Sequence, residues 1–203
     1  MSGQLLLVRH GQTEWSRTGR HTGRTDVALT DEGEAQARAL GVWSAGLQLR
    51  RVLVSPLQRA RRTAELAGLA DRVDPASFVV DDDLQEWDYG GYEGLTTPEI
   101  RERTGSKWTV FNDGVVPGDT PGETLTQVAA RGRAVLDRVR PELEHGDVVV
   151  VGHGHALRVL ATCWLDVDPC LGSQLLLDPA TTSVLGSQHD VSAIVSWNVP
   201  AAG

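Results

Sequence analysis

In this 203-residue chain, two histidines and two arginines stand where apolar runs stop. Leu5-Leu6-Leu7-Val8 leads into Arg9-His10-Gly11, and Val52-Leu53-Val54 leads into Ser55-Pro56, with Arg59 one turn further on. Val148–Val151 leads into Gly152-His153-Gly154-His155. A neutral imidazole attacks phosphorus when one ring nitrogen is bare and the other donates its N–H to a nearby carbonyl. Gly11 would let the backbone come that close. Two guanidinium groups would neutralise charge on the equatorial oxygens, and His153 could donate to the same oxygens. A leaving alkoxide also needs a proton. Glu86, in Leu84–Gly94 among aromatic and glycine neighbours, is the best candidate acid, since partial burial raises a carboxyl pKa. Asp81, Asp82, Asp83, Asp88 and Glu93 compete for that role on composition.

The elements that must position these groups follow from pattern. Leu5–Val8, Val52–Val54, Phe78–Val80 and Val148–Val151 read as strands, with two more at Thr182–Gly186 and Ser192–Trp197. Thr30, followed by acids, reads as a helix start, and Ser55-Pro56 reads as an N-cap with proline at the first helical position. A long helix is expected over Glu123–Glu144 and another from His155 through Trp164. Leu95 to about Thr120 looks irregular, and Pro200–Gly203 are left out of the fold as a frayed end. Strands alternating with helices imply an α/β fold with a mostly parallel central sheet. Ligands in such sheets sit beyond the carboxyl ends of strands, so the three polar strand ends should meet in one anion site. Two helix N-termini would add free N–H groups there.

Composition sets the outer bounds. The length fits one domain, residues 1–203. A net charge of −8 with no basic stripe speaks against a nucleic-acid partner. No apolar run is long enough for a bilayer, and the N-terminus does not read as a secretory signal, so a cytoplasmic protein with no membrane partner is expected. Cys163 and Cys170 have no CxxC spacing and read as reduced. Lys107 is the sole lysine, so position rather than number gives the arginines their meaning. His153 and His155 have no neighbouring third ligand, and no metal site is expected. Trp15 and Trp87 flank the motifs and should wall the site; the role of His21 is open.

Five blocks in order resemble the histidine phosphatase superfamily, also called phosphoglycerate mutase-like. They are Leu7–Trp15, then His21–Asp26 with Leu29–Gly33, then Ser55–Ala60 with Thr63-Ala64, then Leu84–Gly94, and finally Gly152–His155. The resemblance covers nearly the whole chain. It implies a three-layer α/β/α sandwich with one antiparallel strand, and neither metal nor organic cofactor. It implies His10 as the nucleophile, Arg9, Arg59 and His153 as the rest of the phosphate pocket, and Glu86 as proton donor. Ser16, Thr22, Gly23, Gly154 and His155 fall at further substrate or phosphate contacts; Ser16 replaces the asparagine common in mutases. Residues 95–123 form the segment expected to set specificity, and a homodimer is possible.

Within the family, the short 95–123 segment favours a phosphatase of small phosphomonoesters over a mutase. It offers Arg101, Arg103 and Lys107 but not the paired arginines of mutases. The run Asp81–Gly94 and Gly152–Arg158 are similar to an acid phosphatase and sugar-bisphosphatase branch. Two alternatives stand beside that reading: mutase-type phosphoryl transfer, and a non-catalytic module binding a phosphate ligand or a protein.

Overall fold

Leu5, Leu6, Leu7 and Val8 are all buried, which a strand achieves only when both of its faces are covered. In the computed structural model, which describes residues 3–201, they belong to β1 (Leu5–Arg9). The other strands are β2 (Leu49–Val54), β3 (Phe78–Val80), β4 (Asp147–Gly152), β5 (Thr181–Gln188) and β6 (Val191–Pro200). They form one sheet in the order β3-β2-β4-β1-β5-β6. β1, β2, β3 and β4 run parallel, and β5 runs antiparallel to both β1 and β6. This is the expected sheet with one reversed strand.

Along the chain lie α1 (Glu14–Arg17), α2 (Asp31–Ser44), α3 (Gln58–Leu66), α4 (Thr97–Thr104), α5 (Val110–Asp113), α6 (Leu125–Val139) and α7 (Gly154–Leu165). Strand alternation sorts the core into two layers. Leu5, Leu7, Leu53, Val148 and Val150 pack with Val128, Val135 and Leu136 of α6 and with Leu157 and Leu160 of α7. Leu6, Val8, Val52, Val54, Val149 and Val151 pack with Leu40 of α2 and with Ala60 and Ala64 of α3. The result is helix on sheet on helix.

Several boundaries differ from expectation. Ser55 is not a helix cap: α3 starts at Gln58 with Leu57 in the capping position, and the Ser55 hydroxyl is used elsewhere. The long helix is shorter than expected. It starts after Thr124, whose capping box with Gln127 fixes the entry, and Pro141 stands just beyond its end. The supposedly irregular stretch holds α4 and α5, the first opened by a capping box between Thr96 and Glu99 and closed by left-handed Gly105. Pro200 is not frayed: it pairs with Thr181 as the last residue of β6, and Ala201 packs on the core. The remainder of that segment lies outside the described residues. No helix among the described residues is long and apolar enough to cross a membrane.

Candidate active site

Sheet register levels three strand ends. Arg9 lies opposite Gly152, and Val54 opposite Val151. The ladder runs on for one more bond on each side: His10 N–H donates to Gly152 and Ser55 N–H to Val151, both at 3.0 Å. Neighbouring strands thus bring His10, Ser55 and His153 to one place, with the two imidazole centroids 5.1 Å apart.

His10 is 4 % exposed. Its Nδ1 lies 2.7 Å from the Gly11 carbonyl oxygen, which can only accept. Nδ1 therefore carries the proton and Nε2 keeps its lone pair. Burial, then the charges of Arg59 and Arg9, hold this ring well below the usual histidine pKa. Gly11 is required by its neighbour as much as by the histidine: a Cβ there would fall 2.3 Å from the Gly33 carbonyl oxygen near the start of α2.

His153 spends both ring nitrogens on the protein. Arg59 Nε–H donates to its Nδ1 at 3.2 Å, so Nε2 bears the proton and donates to Ser55 Oγ at 2.7 Å. Burial and then Arg59 keep this ring neutral as well. Arg59 is fully buried behind the two histidines, with Nη1 on the Thr25 carbonyl and Nη2 on those of Thr22 and Gly23. Its head braces the 22–25 loop.

In front of His10 opens a cavity of about 170 Å³. Of the sequence-predicted residues, Arg9, His10, Ser16, Thr22, Glu86, Gly154 and His155 line it. Arg9 Nη1 donates to the Leu177 carbonyl, while its buried Nε–H has no partner among the described residues. Gly154 makes room for that guanidinium, since a Cβ there would lie 3.3 Å from Arg9 Cζ. Ser16 turns its hydroxyl back on Thr13 in a capping box. Gly23 is not brought to the cavity; its N–H is tied to the Glu93 carboxylate.

Glu86 is 5 % exposed. Its Oε1 accepts from the N–H groups of Trp87 and Ala156, both at 2.8 Å, and Oε2 accepts from His155 N–H at 3.0 Å. The expectation of free helix N-termini is corrected for three amides: His155 and Ala156 N–H in the first turn of α7 go to Glu86, and Gln58 N–H at the start of α3 goes to Asp26. Gly154 N–H, at the start of α7 on the cavity, donates to no acceptor among the described residues. Guanidinium groups supply most of the charge complementarity toward an anion.

The aromatic wall is also other than expected. Trp87 is fully buried, with Nε1 donating to the Glu123 carbonyl, whereas Tyr89 faces the cavity. Tyr89 Oη lies 2.5 Å from His155 Nδ1, and burial, then Glu86, pushes the phenol pKa well up. His21 lines the cavity beside Tyr89, and burial lowers its pKa to about 4. Arg20 and Arg158 complete the polar wall. The signal for Arg158 was its place one turn after His155 on the same helix. A wider hollow of about 620 Å³ lies beside Arg61 and Arg62 on α3 and contains none of these groups.

The arrangement places a bare imidazole nitrogen, a carboxyl group and guanidinium groups around a small polar cavity, an outfit for phosphoryl transfer. The histidine phosphatase superfamily (branch 1) family model matches residues 5–200, and the chain belongs to that family. Among curated relatives, an acid phosphatase of Mycobacterium tuberculosis is 40 % identical over 190 residues, covering 93 % of this chain and 88 % of its own. The sedoheptulose 1,7-bisphosphatase of Saccharomyces cerevisiae is 38 % identical over 184 residues, covering 81 % and 68 %. A solved Mycobacterium tuberculosis open-reading-frame structure superposes with a TM-score of 0.89 at 36 % identity, with all of both chains covered. Family and relatives together make this chain a phosphatase.

Proposed function

We propose that this phosphatase hydrolyses phosphomonoesters of small metabolites, sugar phosphates foremost, through a phosphohistidine formed on His10. The observation that carries the mechanism is the fixed tautomer: Nδ1–H is held by Gly11, so the Nε2 lone pair is ready for attack. In the first step that lone pair bonds to phosphorus and the ester P–O bond breaks. Glu86 passes its proton to the departing oxygen. In the second step water attacks the phosphohistidine, the ionised Glu86 takes its proton, and the P–N bond breaks to release phosphate and free imidazole. The bare Arg9 Nε–H suits a phosphoryl oxygen, and the positive charge of Arg9 and of Arg59 beside His10 offsets the growing oxygen charge in the transition state. His153 supports the site through Ser55 and Arg59. A cytoplasmic enzyme agrees with such substrates and with the two free thiols, Cys163 and Cys170.

Phosphate release tests this, measured with EDTA present over sugar monophosphates, sugar bisphosphates, 3-phosphoglycerate and an aryl phosphate. Release that resists the chelator and vanishes in His10→Ala is expected, with an acid-labile phosphohistidine trapped on the wild-type chain. Isomerised 3-phosphoglycerate with little free phosphate would turn the reading to a mutase. Binding with no turnover on any compound would turn it to a ligand-binding module.

A further inference from the structure

The 95–123 segment carries Arg101, Arg103 and Lys107, and none of them lines the cavity. Arg101 Nε donates to the Trp108 carbonyl at 3.1 Å, and Arg103 and Lys107 are exposed. The extra cation comes from the catalytic helix itself. Arg158 lies three residues after His155 on α7, so both side chains fall on one helix face and reach the same cavity.

Arg158 is held firmly but incompletely used. Its Nε donates to the Gly172 carbonyl at 2.8 Å, and its Cζ lies 4.8 Å from the Phe111 ring centroid. The guanidinium plane is thus fixed by the turn Pro169–Gln174 and by α5. Among the described residues, Nη1 and Nη2 donate to no acceptor and no carboxylate lies within ion-pair distance, the charge of Glu86 reaching the group only from further off. Arg20, the other outer cation, is exposed and already faces a carboxylate: its Nη1 donates to the Gly94 carbonyl and lies 3.7 Å from Glu99. An arginine stays charged in a protein, so a half-buried cation without a direct ion-pair partner is kept in the wall of the cavity. Besides the cations Arg9 and Arg20 and the carboxyl group of Glu86, the cavity is lined by His21, His155 and Tyr89; burial keeps the two imidazoles neutral and the phenol protonated. These three are partners for hydroxyls rather than for charge.

We infer that Arg158 forms a second anion subsite, and that the preferred substrates are hydroxylated phosphomonoesters carrying a further phosphate or carboxylate. The ester phosphate sits at His10 and Arg9, the sugar or polyol hydroxyls meet His21, Tyr89 and His155, and the far anion takes the two free Nη groups of Arg158. This deepens the phosphatase reading and rests on it.

The test compares kcat/KM within two matched pairs: fructose 1,6-bisphosphate against fructose 1-phosphate, and 3-phosphoglycerate against glycerol 3-phosphate. Wild type is expected to favour the doubly anionic member of at least one pair by about tenfold or more, the worth of one charge-assisted hydrogen bond. Arg158→Gln should shrink that ratio by about tenfold, and Arg158→Lys, which keeps the charge and loses the fork, by about threefold. A preference confined to the first pair names a second phosphate as the group recognised, and one confined to the second names a carboxylate. A wild-type ratio near one in both pairs overturns the proposal, as does an equal fall for both members in Arg158→Gln. Should Arg158→Gln fail to fold, an unchanged ratio in Arg158→Lys overturns it. Calorimetric titration of His10→Ala with the same four compounds separates the two readings. Absence of turnover in wild type sinks the phosphatase reading, while the order of affinities still decides the subsite.

Discussion

Glu86 carries a double demand: it must deliver a proton to the leaving oxygen while three amide N–H groups point at its carboxylate. Oε1 takes two of them and Oε2 only one, so Oε2 has room for the catalytic proton. Glu86→Gln removes the proton donor and turns an NH₂ group toward the amides of Trp87, His155 or Ala156. The expected result is a loss of about 100-fold or more in kcat/KM on alkyl phosphates and a much smaller loss on aryl phosphates, whose leaving groups need little help. Steady-state kinetics on one substrate of each kind checks this, and full activity on the alkyl ester would remove Glu86 from the role. His10, Arg9 and Glu86 were legible in sequence because their types carry the chemistry and their positions close recognisable blocks. Ser55 was misread. Its place before proline suggested a cap, but its oxygen is the acceptor for His153, a partner 98 residues away that no local pattern reveals. Tyr89 and Arg158 were missed as site residues because lining a cavity depends on which way a loop or helix face is turned.

Elements hold Glu86 where single residues cannot. It sits in a loop without regular backbone pairing, and α6 braces that loop from outside. Arg131 Nη1 donates to the carbonyls of Asp83 and Gln85 at 2.6 and 2.9 Å, and Nη2 approaches that of Glu86 at 3.5 Å. The same guanidinium pairs with Glu123, whose carboxylate accepts Asp88 N–H and whose carbonyl accepts Trp87 Nε1–H. Arg131 is thus a positioning residue for the acid loop. Arg131→Gln should lower kcat on alkyl phosphates by about tenfold while the aryl phosphate rate falls less, the pattern of a displaced acid rather than of general loosening. A parallel fall on both substrates would assign Arg131 to stability alone, and Arg131→Lys should recover little because it cannot span several carbonyls. Strand identity was readable at this scale, since runs such as Val148–Val151 are apolar on both faces. Element ends were harder. The capping box of Thr96 and Glu99 stood in plain sight, yet the glycines and prolines downstream made the segment look irregular. Pro200 read as part of a frayed end, but on the edge strand β6 its missing N–H is tolerated.

For the molecule as a whole, folding encloses histidines that must stay uncharged for the site to work. His10 and His153 are 4 % and 0 % exposed, and burial with the neighbouring arginines holds both well below the ordinary value near 6.5. In the unfolded chain they titrate normally, at about 6.5. As the pH drops below that value the unfolded state binds protons that the folded state refuses, so stability falls with falling pH. Each such histidine adds a slope approaching about 1.4 kcal/mol per pH unit, and His21 adds to it down to its own folded value of about 4. Carboxylates act in a separate window. Glu34, held down by Arg62, and Glu99, held down by the Thr96 amide, contribute stability above about 4.5 and lose it only below. Urea midpoints should therefore decline between pH 7 and pH 5 at constant m-value, and a flat profile over that range would contradict neutral burial of the two rings. Activity should part company with stability in the same interval. His10 is still neutral there, so initial rates persist as the pH falls, while enzyme preincubated at pH 5 near its melting temperature loses activity with time. Comparing initial rates with rates after preincubation separates a nucleophile that has taken up a proton from a fold that has let one in.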